Sequence, residues 1–141
     1  MKVEDNKELV RRFYETIERE DYAALESFCH EEFVFYPQVD TPFRGVEGLI
    51  ESEKKNFAAF PGFKMPIEGM VAEGDRVAVY LIFEGTHTGI PFLGVPATGN
   101  RVRFSLMMFL RIADGKITEK RSHVNVHDVL RQLTASKVCG L

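Results

Sequence analysis

Gly85–Arg111 reads GTHTGIPFLGVPATGNRVRFSLMMFLR and runs directly into Ile112–Leu133, IADGKITEKRSHVNVHDVLRQL. The order is strand, long loop, strand, tight turn, strand and short helix. Val77–Thr86 (VAVYLIFEGT) precedes it as a strand that is nearly apolar on both faces. Residues 88–99 hold three glycines and two prolines, which makes them a long loop. Val102–Ile112 is the next strand, Asp114-Gly115 a hairpin turn, and Lys116–Val126 the last strand. A terminal helix is expected over Asp128–Ala135.

The chain upstream is helical. Leu9, Val10, Phe13 and Ile17 recur at helical spacing, with Tyr14 beside them, and predict a helix over Asn6–Glu20. Asp5 and Glu8 read as its capping box. A second helix follows Asp21 and carries Ala24, Leu25 and Phe28. Phe33–Tyr36 is a short aromatic strand stopped by Pro37, and residues 37–45 read as a loop. A third helix spans Val46–Phe60, with Leu49, Ile50, Phe57 and Phe60 on its apolar side and Pro61-Gly62 at its end. Met65–Ala72 is strand-like but interrupted by Pro66 and Gly69, which marks an edge or a bulge.

Helices before antiparallel strands argue for an α+β fold. Three amphipathic helices over one face of a curved sheet leave an apolar pocket between them. Because the strands are apolar on both faces, the other face needs a cover. A second copy of the chain supplies it, as a homodimer through the sheet.

The 141 residues form a single domain with a net charge of −3. No block of Lys and Arg supplies a nucleic-acid footprint. No run approaches the roughly 20 apolar residues of a membrane span. Cys29 and Cys139 stand in no metal or redox spacing and read as free thiols of a cytoplasmic protein. No glycine-rich phosphate loop links a strand to a helix, and no pair of ligating residues has metal spacing on one element. Neither a cofactor nor a metal is expected.

The residues resemble the SnoaL-like polyketide cyclases of the nuclear transport factor two-like superfamily. The likeness runs from Val10-Arg11-Arg12-Phe13-Tyr14 to Leu130-Arg131-Gln132-Leu133. Its most specific pieces are Gly85-Thr86-His87-Thr88-Gly89, Phe92-Leu93-Gly94-Val95-Pro96, Thr98-Gly99 and Asp114-Gly115-Lys116-Ile117. The resemblance implies a cone-shaped, mostly antiparallel sheet wrapped around an apolar pocket, with three N-terminal helices and a short C-terminal one, in a dimer. The superfamily also includes ketosteroid isomerases, limonene epoxide hydrolases, dehydratases and non-catalytic binding domains, so the fold alone names no reaction.

Cyclases of this family use an aspartate on the last strand, helped by a histidine on the strand before. A hairpin centred on Gly115 puts Met108 opposite Ser122, and the resemblance places the histidine position at Met108 and the aspartate position at Ser122. A thioether carries no usable proton, and an unassisted hydroxyl is a poor acid or base near neutral pH. A further acidic position of relatives falls on Asn125.

On the last strand Lys120, Ser122 and Val124 share one face, opposite Leu106, Met108 and Leu110. That face lines the pocket. Glu119, Arg121, His123 and Asn125 take the other, at the dimer face. A one-residue slip at a bulge exchanges the two and makes His123 a general base; otherwise it is an interface histidine. The candidate catalytic residues are therefore His123, Ser122 and Asn125, with Tyr14, Met108, Tyr80 and Leu106 as pocket wall. His87 reads as a histidine that holds the loop by hydrogen bonds. Glu84 is weighed as a buried carboxylate against a solvated strand end. Asp40 and Arg44 are weighed as flanking the pocket mouth against a surface pair.

Two functions fit. One is a small-molecule enzyme acting on an apolar carbonyl or ring compound by acid–base chemistry. The other is a binding or dimeric interaction domain that keeps the pocket without the family's catalytic His and Asp.

Overall fold

The computed structural model describes residues 2–136. Its centre is the hairpin of β5 (Arg101–Ala113) and β6 (Lys116–Val124). Asp114 and Gly115 both take positive φ, 54° and 72°, as a two-residue turn between twisted strands requires. Before the hairpin come α1 (Val3–Glu18), α2 (Tyr22–Ser27), β1 (Cys29–Gln38), β2 (Thr41–Arg44), α3 (Val46–Ala59), β3 (Ile67–Glu73) and β4 (Arg76–Thr86); α4 (Val126–Leu133) follows. The six strands form one curved sheet in the order β2-β1-β6-β5-β4-β3. The β1–β6 pair is parallel and the others antiparallel. The architecture is the expected α+β cone.

Several local expectations are corrected. The first helix begins at Val3 with Lys2 at its N-cap and no side-chain cap. Asp5 is therefore not a cap; with Glu4 it sits in the first turn, where the helix dipole favours negative charge. Pro37 does not stop β1, because it falls where the β1–β2 register shifts between Phe35 and Gln38 and no ladder N–H is needed. Residues 41–44, read as loop, pair with β1 as β2. The last strand ends at Val124, and α4 begins two residues before Asp128, capped by Asn125. Of the two cysteines, Cys29 is buried and free, and Cys139 lies outside the described residues.

One irregularity sets the face of every residue on β6. Ala113 pairs with Lys116 and Ile112 with Ile117, but Arg111 pairs with Glu119, so Thr118 is an extra residue. From there Leu110 faces Lys120 and Met108 faces Ser122. Without the bulge Met108 would face Arg121, and the charged row would turn inward.

The helices cover one face of the sheet, the inner face. Val10, Phe13, Tyr14 and Ile17 of α1 and Leu49 and Phe57 of α3 are buried with Val77, Val79, Leu81 and Phe83 of β4. Four phenylalanine rings stack in a column, Phe57–Phe63–Phe83–Phe104, at centroid distances of 4.1, 4.4 and 4.7 Å. Phe60 meets Phe83 and Phe92 edge-on. At the far end of β5, Gln132 of α4 accepts from the Arg103 backbone N–H at 2.7 Å and donates to its carbonyl at 2.8 Å. Asn100 Nδ2 faces the carbonyls of Gln132, Leu133 and Ala135 at 3.0–3.1 Å.

The long loop is folded onto the end of α3. His87 is fully buried; its N–H donates to the Asn100 carbonyl, its carbonyl accepts from Gly99, and its Nε2 lies 2.8 Å from the Ile90 carbonyl. Gly89 and Ile90 donate to the carbonyls of Ala59 and Ala58. A Cβ at Gly89 would stand 1.6 Å from the Ala58 carbonyl oxygen, whereas one at Gly94 would meet nothing within 4 Å. Gly89→Ala is therefore expected to cost about 3 kcal/mol, the upper end of overpacking. Gly94→Ala, with only its positive φ to offend, should cost about 1 kcal/mol. Urea midpoints at unchanged m-value test this; equal losses would refute the close approach as the cause.

Candidate active site

The sheet sorts the sequence-derived candidates into two groups. Met108 is buried on the inner face, Leu106 and Ser122 are half-buried there, and Tyr14 reaches the interior from α1. These four share the inner side. His123 is exposed on the outer face, opposite Met107. Tyr80, also opposite Met107, is 40% exposed on that face. Asn125 stands beyond β6, where its Oδ1 accepts from the Asp128 N–H at 3.1 Å as the cap of α4. Glu84 is held on the outer side by Arg103 at 2.7 Å and Arg101 at 3.7 Å. Asp40 and Arg44 are exposed.

Two ionisable side chains that were not singled out lie inside. Lys120, on the inner row of β6 beside Ser122, is 2% exposed. Its Nζ stands 4.5 Å from the centre of the Phe35 ring and 6.0 Å from that of Tyr14. Lys120 makes no ion pair among the described residues. Glu53, in the middle of α3, is 6% exposed, and its Oε2 has no hydrogen-bond partner. The buried Tyr14 hydroxyl has none either. A buried carboxyl and a buried phenol thus leave hydrogen-bonding capacity unspent in the interior that holds the buried amine, where native interiors satisfy nearly all of theirs.

Burial sets their electrostatics. It pushes the Glu53 carboxyl up, against the pull of Lys120 and an Asn56 contact. It pushes the Lys120 ammonium down, against the support of Glu53 and Cys29. It holds the Tyr14 phenol well above its ordinary range, with Glu53 adding to the effect. It takes the Cys29 thiol to about 12 even with Lys120 nearby, so Cys29 stays protonated and unreactive. Desolvation favours a neutral acid beside a neutral amine, the pairing that moves protons near neutral pH.

The sequence did carry signals for both. Glu53 falls on the apolar stripe of α3, among Val46, Leu49, Ile50 and Phe57. Lys120 belongs to the strand face opposite Leu106, Met108 and Leu110. A charged residue on an apolar row was the clue.

The inner row opens toward the end of β6. Lys120 is buried, Ser122 half-buried and Val124 38% exposed, and on β5 the half-buried Leu106 follows the buried Met108. Elsewhere the interior is filled by the phenylalanine column, and the open grooves lie outside this row. One of about 480 Å³ separates α1 from β3, lined by Lys7, Arg11 and Glu15 against Met65, Ile67 and Met70, with Tyr14 reaching it. Another, of about 570 Å³, lies by Asn6, Asp75 and the Asp114-Gly115 turn. Among the described residues no three His, Cys, Asp or Glu side chains gather as metal ligands. Among the described residues no helix is long and apolar enough to cross a membrane.

Known proteins place this geometry in a family. No curated protein matches the sequence. Among solved structures, AclR from Streptomyces galilaeus, provisionally described as a hydroxylase, is 26% identical with a TM-score of 0.83, over 96% of this chain and 85% of that one. IdmH from Streptomyces antibioticus, provisionally a polyketide cyclase, is 26% identical with a TM-score of 0.79, over 91% and 97%. An epoxide hydrolase from M. tuberculosis, similar to limonene epoxide hydrolase, shares the fold at 18% identity and a TM-score of 0.72, over 93% and 90%. The profile of the SnoaL-like polyketide cyclases matches residues 8–133, nearly the whole chain. The chain belongs to the SnoaL-like polyketide cyclase family.

Proposed function

We propose that this protein is an enzyme that acts on a small apolar carbonyl or ring compound by acid–base chemistry inside the cone. One observation carries the reading: Tyr14, Glu53 and Lys120 are buried together, with the Tyr14 hydroxyl and Glu53 Oε2 unbonded and Lys120 in no ion pair among the described residues. A purely structural role would have satisfied them, since a buried polar group left unbonded costs about 1–3 kcal/mol. Glu53 serves as the protonated acid, Lys120 as the neutral base, and Tyr14 as a hydrogen-bond donor to a carbonyl oxygen. Ser122 and Met108 form the wall next to them. His123 and Asn125 take no part in this reading. The substrate enters at the Ser122–Val124 end, where the inner row meets solvent.

The second reading is a binding or dimeric interaction domain. Met108 and Ser122 favour it, because they leave the family's histidine and aspartate positions without a titrating group. The two readings separate on what the interior groups do to stability and turnover.

A homodimer through the outer sheet face fits both. Val71, Tyr80, Met107 and Phe109 stand exposed there, flanked by Arg76, Arg111, Glu84 and Arg121. Charges of both signs around an apolar centre suit a surface that meets its own copy.

Groups kept for chemistry are held at the expense of stability. The double variant Lys120→Met/Glu53→Gln is expected to be more stable than wild type by about 1–4 kcal/mol. It should also lose turnover of any substrate found. A less stable double variant would mean the pair is structural.

The pH dependence follows from the directions of the shifts. Glu53 is raised, so its contribution is present below its ordinary 4.5 and lost as pH rises through the folded value. Lys120 is lowered, so its contribution is present above its ordinary 10.5 and lost as pH falls through the folded value. The stability advantage of the double variant should therefore be widest near neutrality and narrow on both flanks. A gap that is flat from acid to alkaline pH in denaturation curves would contradict the burial of these groups.

Phe109→Glu places a charge in the centre of the outer patch. Sedimentation equilibrium should show a dimer for wild type and a folded monomer for the variant. A monomeric wild type would rule out the sheet-face dimer.

A further inference from the structure

We propose that Lys120 acts as an amine nucleophile, forming an iminium with an aldehyde or ketone substrate in the cone. This rests on the acid–base reading above and deepens it, by naming the atom that bonds to the substrate and the substrate's functional group. The cone holds no other buried amine among the described residues. Lys120 has no carboxylate within ion-pair distance, so its lone pair is not tied into a salt bridge. The Phe35 and Tyr14 rings lie 4.5 and 6.0 Å from its Nζ, and their π faces accept no proton and would stabilise an iminium cation formed there. An amine desolvated in an apolar site is the usual form of an activated lysine. The next inner residue on β6, Ser122, lies about 7 Å along the strand and is already half-buried, so the amine is one step from the open end.

The step balances without an added reagent. The neutral Lys120 amine attacks the carbonyl carbon, forming a C–N bond, and the oxygen takes a proton from the Glu53 carboxylic acid. The carbinolamine nitrogen gives its extra proton back to the Glu53 carboxylate. That acid then protonates the hydroxyl, which leaves as water. The product is the iminium beside an ionised Glu53, with Phe35 and Tyr14 facing the cation. Glu53 can next remove a proton from the carbon beside the iminium carbon to give an enamine. Reprotonation elsewhere, or attack on a second carbonyl, followed by hydrolysis with one water, regenerates the amine. This route gives isomerisation or aldol-type ring closure and does not use the histidine and aspartate positions that Met108 and Ser122 fill.

Benzaldehyde with sodium cyanoborohydride near neutral pH tests the proposal, because reduction fixes an iminium as a stable benzylamine. Peptide mass spectrometry of the whole protein should place the adduct at Lys120 at least about tenfold ahead of the exposed lysines, because a desolvated amine holds its lone pair free. Glu53→Gln should slow labelling at Lys120 and leave the surface lysines unchanged. Lys120→Met removes the amine and should lose that adduct alone, with circular dichroism confirming its fold. An unlabelled Lys120 at a dose that modifies surface lysines overturns the proposal. That result would leave the stability and pH behaviour of the Lys120–Glu53 pair intact, so the acid–base reading would stand or fall separately.

Discussion

Thr118 is one residue more than the β5–β6 ladder needs. The strand accommodates it by bulging, and the side chains beyond it exchange faces. Ile117 points inward below the bulge and Lys120 points inward above it, three residues apart where a regular strand would allow two. Had the strand run regularly, Glu119, Arg121 and His123 would have turned inward opposite Leu110, Met108 and Leu106. The bulge thus keeps three charged or polar groups at the outer face and admits one lysine and one serine to the interior. The sheet's outer patch, the inner row and the proximity of Lys120 to Phe35 all follow from it.

Much of this was legible beforehand. Asp114-Gly115 fixed the hairpin, and a pairing centred on Gly115 gave Met108 opposite Ser122. That register was reached without seeing that a two-residue turn plus a bulge produces it. The loop-holding part of His87 was also readable, because histidine at a strand–loop junction has donor and acceptor to spend locally. The short β2 strand was not readable. Thr41–Arg44 contains Pro42, has no buried residue and exists by pairing with β1. Local propensity cannot report a pairing of that kind. The Asp5–Glu8 cap does not mark the start of α1, since Lys2 opens that helix with no side-chain bond at all.

Glu53 and Lys120 are hidden in the sequence for a different reason. The positions where the family keeps its groups hold Met108, Ser122 and Asn125. Glu53 and Lys120 sit on separate elements, α3 and β6, and become neighbours in charge only when the helix closes over the sheet. Each carried a local anomaly, a charge on an apolar row. A single anomaly is usually a side chain that reaches solvent. Two that point into the same core, together with an unpartnered phenol, change the odds because their desolvation costs add.

The contact between Gly89 and the Ala58 carbonyl ties two parts of the chain that sequence numbering keeps apart. The 87–100 loop hangs from the last turn of α3 by two backbone bonds, and it meets the C-terminal helix through Asn100. Neither partner can be exchanged alone. Anyone grafting this loop onto a relative must carry the end of α3 with it, and insertions are confined to the stretch around Gly94, where the backbone faces open space. Loop and helix end therefore form one transplantable module, with its open corner at Gly94.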